Sequence, residues 1–505
     1  MQGTARDKLE RVLPRFLAEQ RWFAARGGAQ FRARIADAVR IAAEPGPLYL
    51  TLVDVEDDRG SARYFLPLAL SKGDEAVRVR QEWGSACIAR VHDAHEPVIL
   101  HDATVVPAFW NALLSRWGQE WQGRSLKGRY TARPLEGCVV DGSARVRLLG
   151  AEQSNTSAIV GDVYAKLYRR VESGPNPEVE LLSYLSGVGF QSVPKLVGTL
   201  TYRWSGHEQA LGILQRALAI DSNAWEYALV EYGKFIERVL ETRVPESPRG
   251  SDPNNHPGWL EGVGKEILQM ARALGVRVAE LHIALAAATD PDLVPVALRS
   301  HDLERLADVL RSEIDETRRR VETAAVQVSD DVWSRADQLL RDLAQLPAQG
   351  LLLRVHGDLH LGQIAHTQRN FILLDFEGEP DRSVPERRER DQAVRDVAGM
   401  IRSLEYAGLV ALAEASEREP GKTAGHEAWV RTMIRWTKAV FLDAYRHTSS
   451  GQPYLPPVDQ QGVLLKAYLL HKVLYEIRYE LGHRPGWVWM PISGLERLLA
   501  QDGSD

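Results

Sequence analysis

The stretch HGDLHLGQIAHTQRNFILLDFEGEP, His356 to Pro380, organises the reading of the whole chain. Two apolar runs, GLLLRVHGD (350–358) and NFILLDFEG (370–378), are expected to be strands flanking a loop at Gly362 to Arg369. If they pair, Asp358 just past the first and Asp375 just past the second arrive at one place, with the amide of Gln363 on the loop between them. Phosphoryl transfer needs such a set: a carboxylate that orients an acceptor hydroxyl and takes its proton, and oxygen ligands for a divalent cation on the phosphates. Asp358 is then the base, and Gln363 and Asp375 the metal ligands. Two other readings stand beside it. Asp358 could simply cap a turn, or His356, His360 and His366 could join Asp358 around a hydrolytic metal. Gly357 and Gly362 bracket the segment and favour an irregular loop over the helical face that such histidine pairs use.

A phosphate cradle is the next requirement. The Walker pattern is absent, because Gly264-Lys265 is followed by Glu266 and Trp259 stands where the first glycine belongs. A polar turn between two strand-like runs, GAEQSNTSA (150–158), offers Ser154, Asn155, Thr156 and Ser157, whose hydroxyls and backbone amides suit phosphate oxygens. Lys166 follows on the next strand in VYAKLYRR. A phosphate-binding lysine needs a carboxylate from the following helix, and Glu180 is the expected partner with Glu178 the competitor; two positions apart, only one can face the lysine.

Around these motifs the pattern changes once along the chain. An amphipathic helix over Leu9 to Phe23 precedes strand-like runs at Ala33–Ile41, Leu48–Val55 and Tyr64–Leu70, which read as a small antiparallel sheet. A helix is expected at Pro107–Trp117, more strands over Arg145–Arg169, and a helix from Pro177 with Asn176 as its N-cap. Beyond Asp221 the periodicity is helical, at Trp225–Arg243, Leu260–Ala287, Asp302–Leu346, Val394–Ala415, His426–Tyr445 and Gln461–Leu481, with Pro245–Pro257 a surface loop.

Composition bounds the partners. In 505 residues, 62 Lys plus Arg against 68 Asp plus Glu give a formal charge of -6, which supplies no broad cationic field for nucleic acid. Cys87 and Cys138 are too few for a disulfide framework, so a reducing compartment is expected. The charged residues Arg6 to Arg11 do not read as a secretory signal, and apolar runs such as Val105–Leu114 are too short to cross a bilayer, so a soluble cytoplasmic protein without membrane partners is expected.

Taken together, AEQSNTSAIVGDVYAKLYRR, GPNPEVE, HGDLHLGQ, DFEGEP and RDVAGMIRS resemble the bacterial maltokinases, free-standing or fused to trehalose synthase, within the superfamily of aminoglycoside phosphotransferases and eukaryotic-like protein kinases. FLAEQRWFAARG near the start is similar to that family's N-terminal cap, and HKVLYEIRYELGHRPGW near the end to its sugar-binding helix. The resemblance implies an α+β, two-lobed, protein-kinase-like fold with an N-terminal α/β cap: a cap over 1–130, a β-rich N-lobe over 131–218 and a mostly helical C-lobe over 219–505. It implies transfer from ATP, with magnesium, to maltose, giving maltose 1-phosphate in trehalose and glycogen metabolism. Asp358 falls on the catalytic position, Gln363 and Asp375 on the metal positions and Lys166 on the phosphate-binding lysine. ILQRALA (213–219) resembles the hinge, where backbone groups of Gln215 and Ala217 would read adenine.

The implied sugar residues are His360, Glu377, Tyr475, Glu476, Tyr479 and Glu480. Four-residue spacings put the two tyrosines and the two glutamates on adjacent stripes of one helix, and Arg484 and Trp487 are candidates for the same pocket. Where many members carry Ser-Pro-Leu before RDVAGM, this chain has Gln392-Ala393-Val394. Two alternatives stay open: a kinase of glucosamine or glucose, and a catalytically silent module that partners trehalose synthase.

Overall fold

The computed structural model describes residues 3–23, 30–42, 46–58, 60–91, 96–123, 128–135, 141, 143–150, 154–241, 262–368, 370–418 and 427–500. Cys138, the turn residues 151–153, His426 and the Pro245–Pro257 stretch lie outside them. The chain forms two compact units, one made of 1–187, 194–218 and 383–385, the other of 188–193, 219–382 and 386–505.

The first unit opens with helix α1 (Gly3–Ala18), followed by strands β1 (Arg32–Ala42), β2 (Leu48–Asp57), β3 (Gly60–Phe65) and β4 (Leu68–Lys72). After helix α2 (Gly73–Glu82) come β5 (Cys87–Val91) and β6 (Val98–Asp102), then helix α3 (Pro107–Leu114). A second set of strands is β7 (Glu120–Gln122), β8 (Arg129–Pro134), β9 (Val146–Leu148), β10 (Asn155–Val160), β11 (Val163–Tyr168), β12 (Arg170–Val171), β13 (Leu196–Trp204) and β14 (His207–Arg216), with helix α4 (Pro177–Gly187) between β12 and β13.

These strands make two antiparallel sheets, ordered β12-β3-β2-β4-β6-β5 with β1 on β2, and β7-β8-β13-β14-β11-β10-β9. Period-two alternation decides which face each residue meets. On β2, Val53 and Val55 join Leu13, Phe16 and Leu17 of α1 in one cluster. Leu50 and Leu52 face a different core, shared with Trp110 of α3 and with Tyr130, Ala165, Leu200 and Tyr202 of the second sheet. Burial of each such large side chain contributes about 1.5–3 kcal/mol. Because both sheets close over one core, residues 1–130 pack in one unit with 131–187 and 194–218, and β7 and the start of β8 already belong to the second sheet.

Arg169 fastens this arrangement at the point where β11 leaves one sheet and β12 enters the other. Its side chain is 2% exposed; Nη2 donates to Asp102 Oδ2 at 2.6 Å and Thr104 Oγ1 at 2.8 Å, and Nε donates to Thr156 Oγ1 at 2.8 Å. The guanidinium also lies 4.9 Å from the Trp22 ring centroid.

The second unit contains helices α5 (Ala224–Glu241), α6 (Lys265–Ala286), α7 (Ser300–Thr323), α8 (Asp330–Gln345), α9 (Val394–Arg418), α10 (Glu427–Thr448), α11 (Val458–His483) and α12 (Trp489–Leu498). The expected single helical stretch Asp302–Leu346 is two helices, because Ala325 takes a positive φ of 54° and Ser329 caps α8 through its hydroxyl on Asp331 N. Strand pairing also differs from expectation. The run after Gly350 pairs Leu351–Leu352 (β17) with Val296–Ala297 (β16), and NFIL (β19, Asn370–Leu373) pairs with β18 (Ile364–Thr367), a segment expected to be loop. Ser222–Asn223 (β15) adds a third strand beside β18. An irregular segment from Arg354 to His360 therefore carries Asp358, and the tight hairpin that carries Asp375 follows it.

Breaking the Arg169 to Asp102 pair leaves a buried charge without its partner. Arg169→Met is expected to lower stability by about 3–5 kcal/mol in urea titration followed by circular dichroism.

Candidate functional site

In the first unit, Lys166 on β11 is 4% exposed and its Nζ donates to Glu178 Oε2 at 2.9 Å, where Tyr168 OH also donates at 2.9 Å. Asn176 caps α4 as expected, its Oδ1 accepting from Val179 N at 3.1 Å, which points the first turn of α4 at β11. The partner is therefore Glu178 and not Glu180: residues two apart on a helix face different ways, and the fully buried position is Glu178, 1% exposed. The pair leaves a fixed cation on the strand, suited to phosphate oxygens.

The expected cradle residues divide. Ser154 is exposed just ahead of β10, while Asn155 is buried on it, opposite Tyr168. Thr156 and Ser157 are not turn residues but strand residues with internal duties. Thr156 Oγ1 accepts from Arg169, and Ser157 Oγ is 2.8 Å from Tyr164 OH. At the expected hinge, Gln215 sits in the ladder between Tyr164 and Leu196. Ala217 N donates to Asp162 O at 2.8 Å, so its N–H is occupied within the unit instead of facing a base.

In the second unit one buried carboxylate builds the segment that carries Asp358. Asp396 on α9 is fully buried; its Oδ2 accepts from His356 N at 2.8 Å and its Oδ1 from Gly357 N at 2.9 Å. His282 Nε2 on α6 lies 3.2 Å from the same carboxylate, and Tyr445 OH is 2.9 Å from His282 Nδ1. Burial pushes the Asp396 pKa up, but His282, His356 and the Gly357 N–H outweigh it and hold the group below its ordinary value. Gly357 takes a positive φ of 83°, so the chain turns sharply just before Asp358. Leu361 N donates to Ser403 Oγ at 3.1 Å, and Gly399 meets the segment so closely that a Cβ there would lie 2.5 Å from Leu359 O.

The hairpin is tied to the same segment. His356 Nε2 donates to Leu374 O at 2.8 Å, and Leu374 N donates to Gln363 O at 2.9 Å. Gln363 Nε2 donates to Asp375 Oδ2 at 2.9 Å, so the two expected metal residues meet. Asp375 holds a left-handed φ of 59°, a strained geometry costing about 1–3 kcal/mol that aims its carboxylate. A Glu377 oxygen lies within 4.8 Å of an Asp375 oxygen, which makes Glu377 a neighbour of the expected metal residues. The histidine-metal reading fails on geometry. His366 packs 4.3 Å from Tyr227 and 5.1 Å from Phe371, centroid to centroid, and His356 spends Nε2 on a carbonyl. Among the described residues these histidines and Asp358 do not bring ligand atoms together.

Helix α11 supplies a residue that sequence reasoning missed. Lys472 Nζ lies 3.5 Å from Asp358 Oδ1 and 3.0 Å from Glu379 Oε1, and Glu379 also binds Arg395 and Arg382, each at 2.8 Å. Burial opposes the charge on Lys472, but Glu379 and Asp358 win and raise its pKa. The signal was present: Lys472 is three positions before Tyr475, on the same helical stripe. Asp396 was equally visible as a lone acid in the apolar run VRDVAGM.

His360 accepts from Gly362 N at 3.1 Å through Nδ1, and burial lowers its pKa despite the nearby charges of Asp358 and Asp375. Tyr475 and Tyr479, 45% and 41% exposed, stack at 6.3 Å, and His483 continues the stack at 4.4 Å. The two glutamates do not share that face. Glu476 is held by Arg402 at 2.6 Å, and Glu480, 2% exposed, takes Tyr406 OH at 2.6 Å and Arg484 Nη2 at 2.7 Å. They are counter-ions inside the unit, because arginines and a phenol from neighbouring positions reach them first. Arg484 in turn lies 5.2 Å from the Trp487 ring centroid.

Residues 16–105 match the family model described as the maltokinase N-terminal cap domain. Glucosamine kinase of Mycolicibacterium smegmatis is 28% identical over 372 residues, 71% of this chain and 80% of that protein. Trehalose synthase of Thermus thermophilus is 26% identical over 285 residues, 55% of this chain but 26% of that protein. A solved glucosamine kinase structure, determined with glucosamine, ADP and inorganic phosphate, superposes with a TM-score of 0.63 at 20% identity, covering 99% of this chain and 100% of that one. The fold is kinase-like, with an N-terminal cap. The chain is a phosphotransferase. No helix among the described residues is long and apolar enough to cross a membrane.

A methyl group at Gly399 would collide with the backbone of the segment that carries Asp358. Gly399→Ala is expected to cost about 1–3 kcal/mol of stability and to reduce phosphotransfer more than nucleotide binding, read by thermal melting alongside turnover.

Proposed function

We propose that the protein is an ATP-dependent sugar kinase that phosphorylates maltose at the anomeric hydroxyl, giving maltose 1-phosphate for trehalose and glycogen metabolism. Asp358 accepts the proton of the sugar hydroxyl, with Lys472 fixing its carboxylate. Lys166, held by Glu178, meets the phosphates of ATP. Gln363, Asp375 and Glu377 are hard oxygen donors at one end of a hairpin, a set that fits magnesium. When bound there, the ion would supply charge that offsets the negative charge on the phosphates.

The observation that carries the choice of sugar is the stacked, half-exposed pair Tyr475 and Tyr479, three and seven residues along the helix from Lys472. Two rings spread over 6.3 Å offer apolar faces to more than one pyranose, which suits a disaccharide. The nearby acids Glu379, Glu476 and Glu480 are already paired with cations or a phenol, so they favour a neutral sugar over an aminosugar. The cap match supports the same reading. Glucosamine is the second reading, favoured by the names of the relatives. Partnership with trehalose synthase is a further part of the proposal, supported by the partial match to that enzyme.

A coupled ADP-release assay with ATP and magnesium, run against maltose, glucose, glucosamine, trehalose and no sugar, tests this. Selective turnover of maltose with anomeric phosphorylation is expected; selectivity for glucosamine would transfer the assignment to the second reading, and silence throughout would favour a binding module.

The role assignment has its own test. Asp358→Asn is expected to lower kcat by about 10²–10⁴ while ATP binds nearly as before. Asp375→Asn is expected to weaken magnesium-dependent ATP binding, and titration calorimetry giving equal losses in the two variants would contradict the division of roles.

A further inference from the structure

A cavity of about 200 Å³ lies among α9, α10, α11 and α12, lined by Arg402, Glu405, Arg431, Arg435, Lys438 and Arg497 together with apolar side chains. Five cations face one carboxylate. Glu405, 5% exposed, is already shared by three of them: Arg402 Nη1 at 3.0 Å, Lys438 Nζ at 3.2 Å and Arg497 Nη2 at 2.6 Å. Arg402 turns its other edge to Glu476. Of the remaining two cations, Arg431 is paired with Glu427 through two donors, and only Arg435 is less committed. Arg431 Nε donates to Glu427 at 2.7 Å, whereas Arg435 donates to the neutral hydroxyl of Thr432 at 3.1 Å and meets no carboxylate among the described residues.

The balance is therefore uneven. Arg402, Lys438 and Arg497 carry three positive charges against Glu405 and Glu476, and Arg435 adds a fourth. Lys438 uses one of its three donors on Glu405, and Arg435 one edge of a five-donor fork. Lys438, Arg497 and Arg431 are 27%, 33% and 28% exposed, so their ends are reachable from solvent. Ile401, Leu409, Ile434, Leu469 and Leu498 form the apolar part of the wall. Gly494 leaves the room that Arg402 occupies, since a Cβ there would lie 2.6 Å from Arg402 Nη1.

We propose that this pocket binds a phosphate monoester. Planar guanidinium forks and an ammonium around one cavity match the tetrahedral dianion, and the apolar wall gives the ester's carbon portion a surface. The pocket's lining includes neither Lys166, proposed to meet the phosphates of ATP, nor Asp375 of the proposed magnesium position. It shares α9 with the catalytic segment, since Ser403, next to Arg402, accepts from Leu361 N. A bound anion would compete with Glu405 and Glu476 for Arg402, so occupancy bears on the α11 helix that carries Lys472.

Titration calorimetry without ATP tests this with three probes: inorganic phosphate, glycerol phosphate and glucose 6-phosphate. Wild-type protein and Lys166→Ala are expected to bind the monoesters alike at one site, more tightly than inorganic phosphate. Arg435→Gln and Lys438→Gln should each lose tenfold or more in affinity with unchanged circular dichroism melts. Arg431→Gln, at the outer edge, is the further check should either variant fold poorly, and it should weaken binding too. No binding by the wild type, equal binding by the pocket variants, loss of binding in Lys166→Ala, or preference for inorganic phosphate would each overturn the proposal.

Discussion

A single carboxylate buried from solvent sets the terms for the segment that carries Asp358. Asp396 has no solvent contact, so its charge must be met by donors from the protein itself. The donors it finds are the backbone N–H groups of His356 and Gly357 and the ring of His282. Those backbone groups belong to a stretch without regular structure, which has no ladder to satisfy them. The carboxylate and the loop need each other, and the consequence is that Asp358 leaves the turn in one direction. His356 then passes the constraint to the hairpin through Leu374 O, and Gln363 passes it to Asp375.

Elsewhere in the second unit the same rule appears with charged partners. Glu379 is surrounded by Lys472, Arg395 and Arg382, and these cations hold its pKa below the carboxylate range although burial works the other way. Such a cluster keeps Lys472 charged and close to Asp358 without any residue of the loop having to move. Stability is not the clearest benefit of buried ion networks; orientation of a reactive carboxylate is one that the geometry here makes concrete.

The candidate residues stood out because each breaks the local pattern: an Asp after Gly, a second Asp closing an apolar run, a Lys between apolar neighbours. Asn176 and the Pro177 helix start were equally plain. What local pattern could not supply was partnership. GLLL and NFIL look like complementary strands, yet each pairs with a segment that carries little strand signal, Val296–Ala297 and Ile364–Thr367. Glu178 and Glu180 differ only in which side of a helix faces β11, and that depends on how the cap residue sets the first turn. Glu476 and Glu480 share the spacing of the tyrosines, but Arg402 and Tyr406 lie more than seventy positions away in sequence and claim them. Gly399 shows the converse, since only a three-dimensional contact reveals why a helix in mid-course has no side chain there.

The two-residue strand β12 and the Arg169 that precedes it have a bearing on how this architecture can be rebuilt. The chain completes the N-terminal sheet with a strand supplied from beyond residue 169, and it seals the junction with a cation whose acceptors come from both sheets. The cap is thus not an appendage that could be trimmed at a linker. A chimera that exchanged residues 1–130 alone would inherit an orphaned edge at β3 and a guanidinium facing a foreign surface. Inheritance or engineering of this cap must carry Asp102, Thr104, Thr156 and Arg169 together, so these four positions form one unit of exchange although the outermost two lie 67 positions apart.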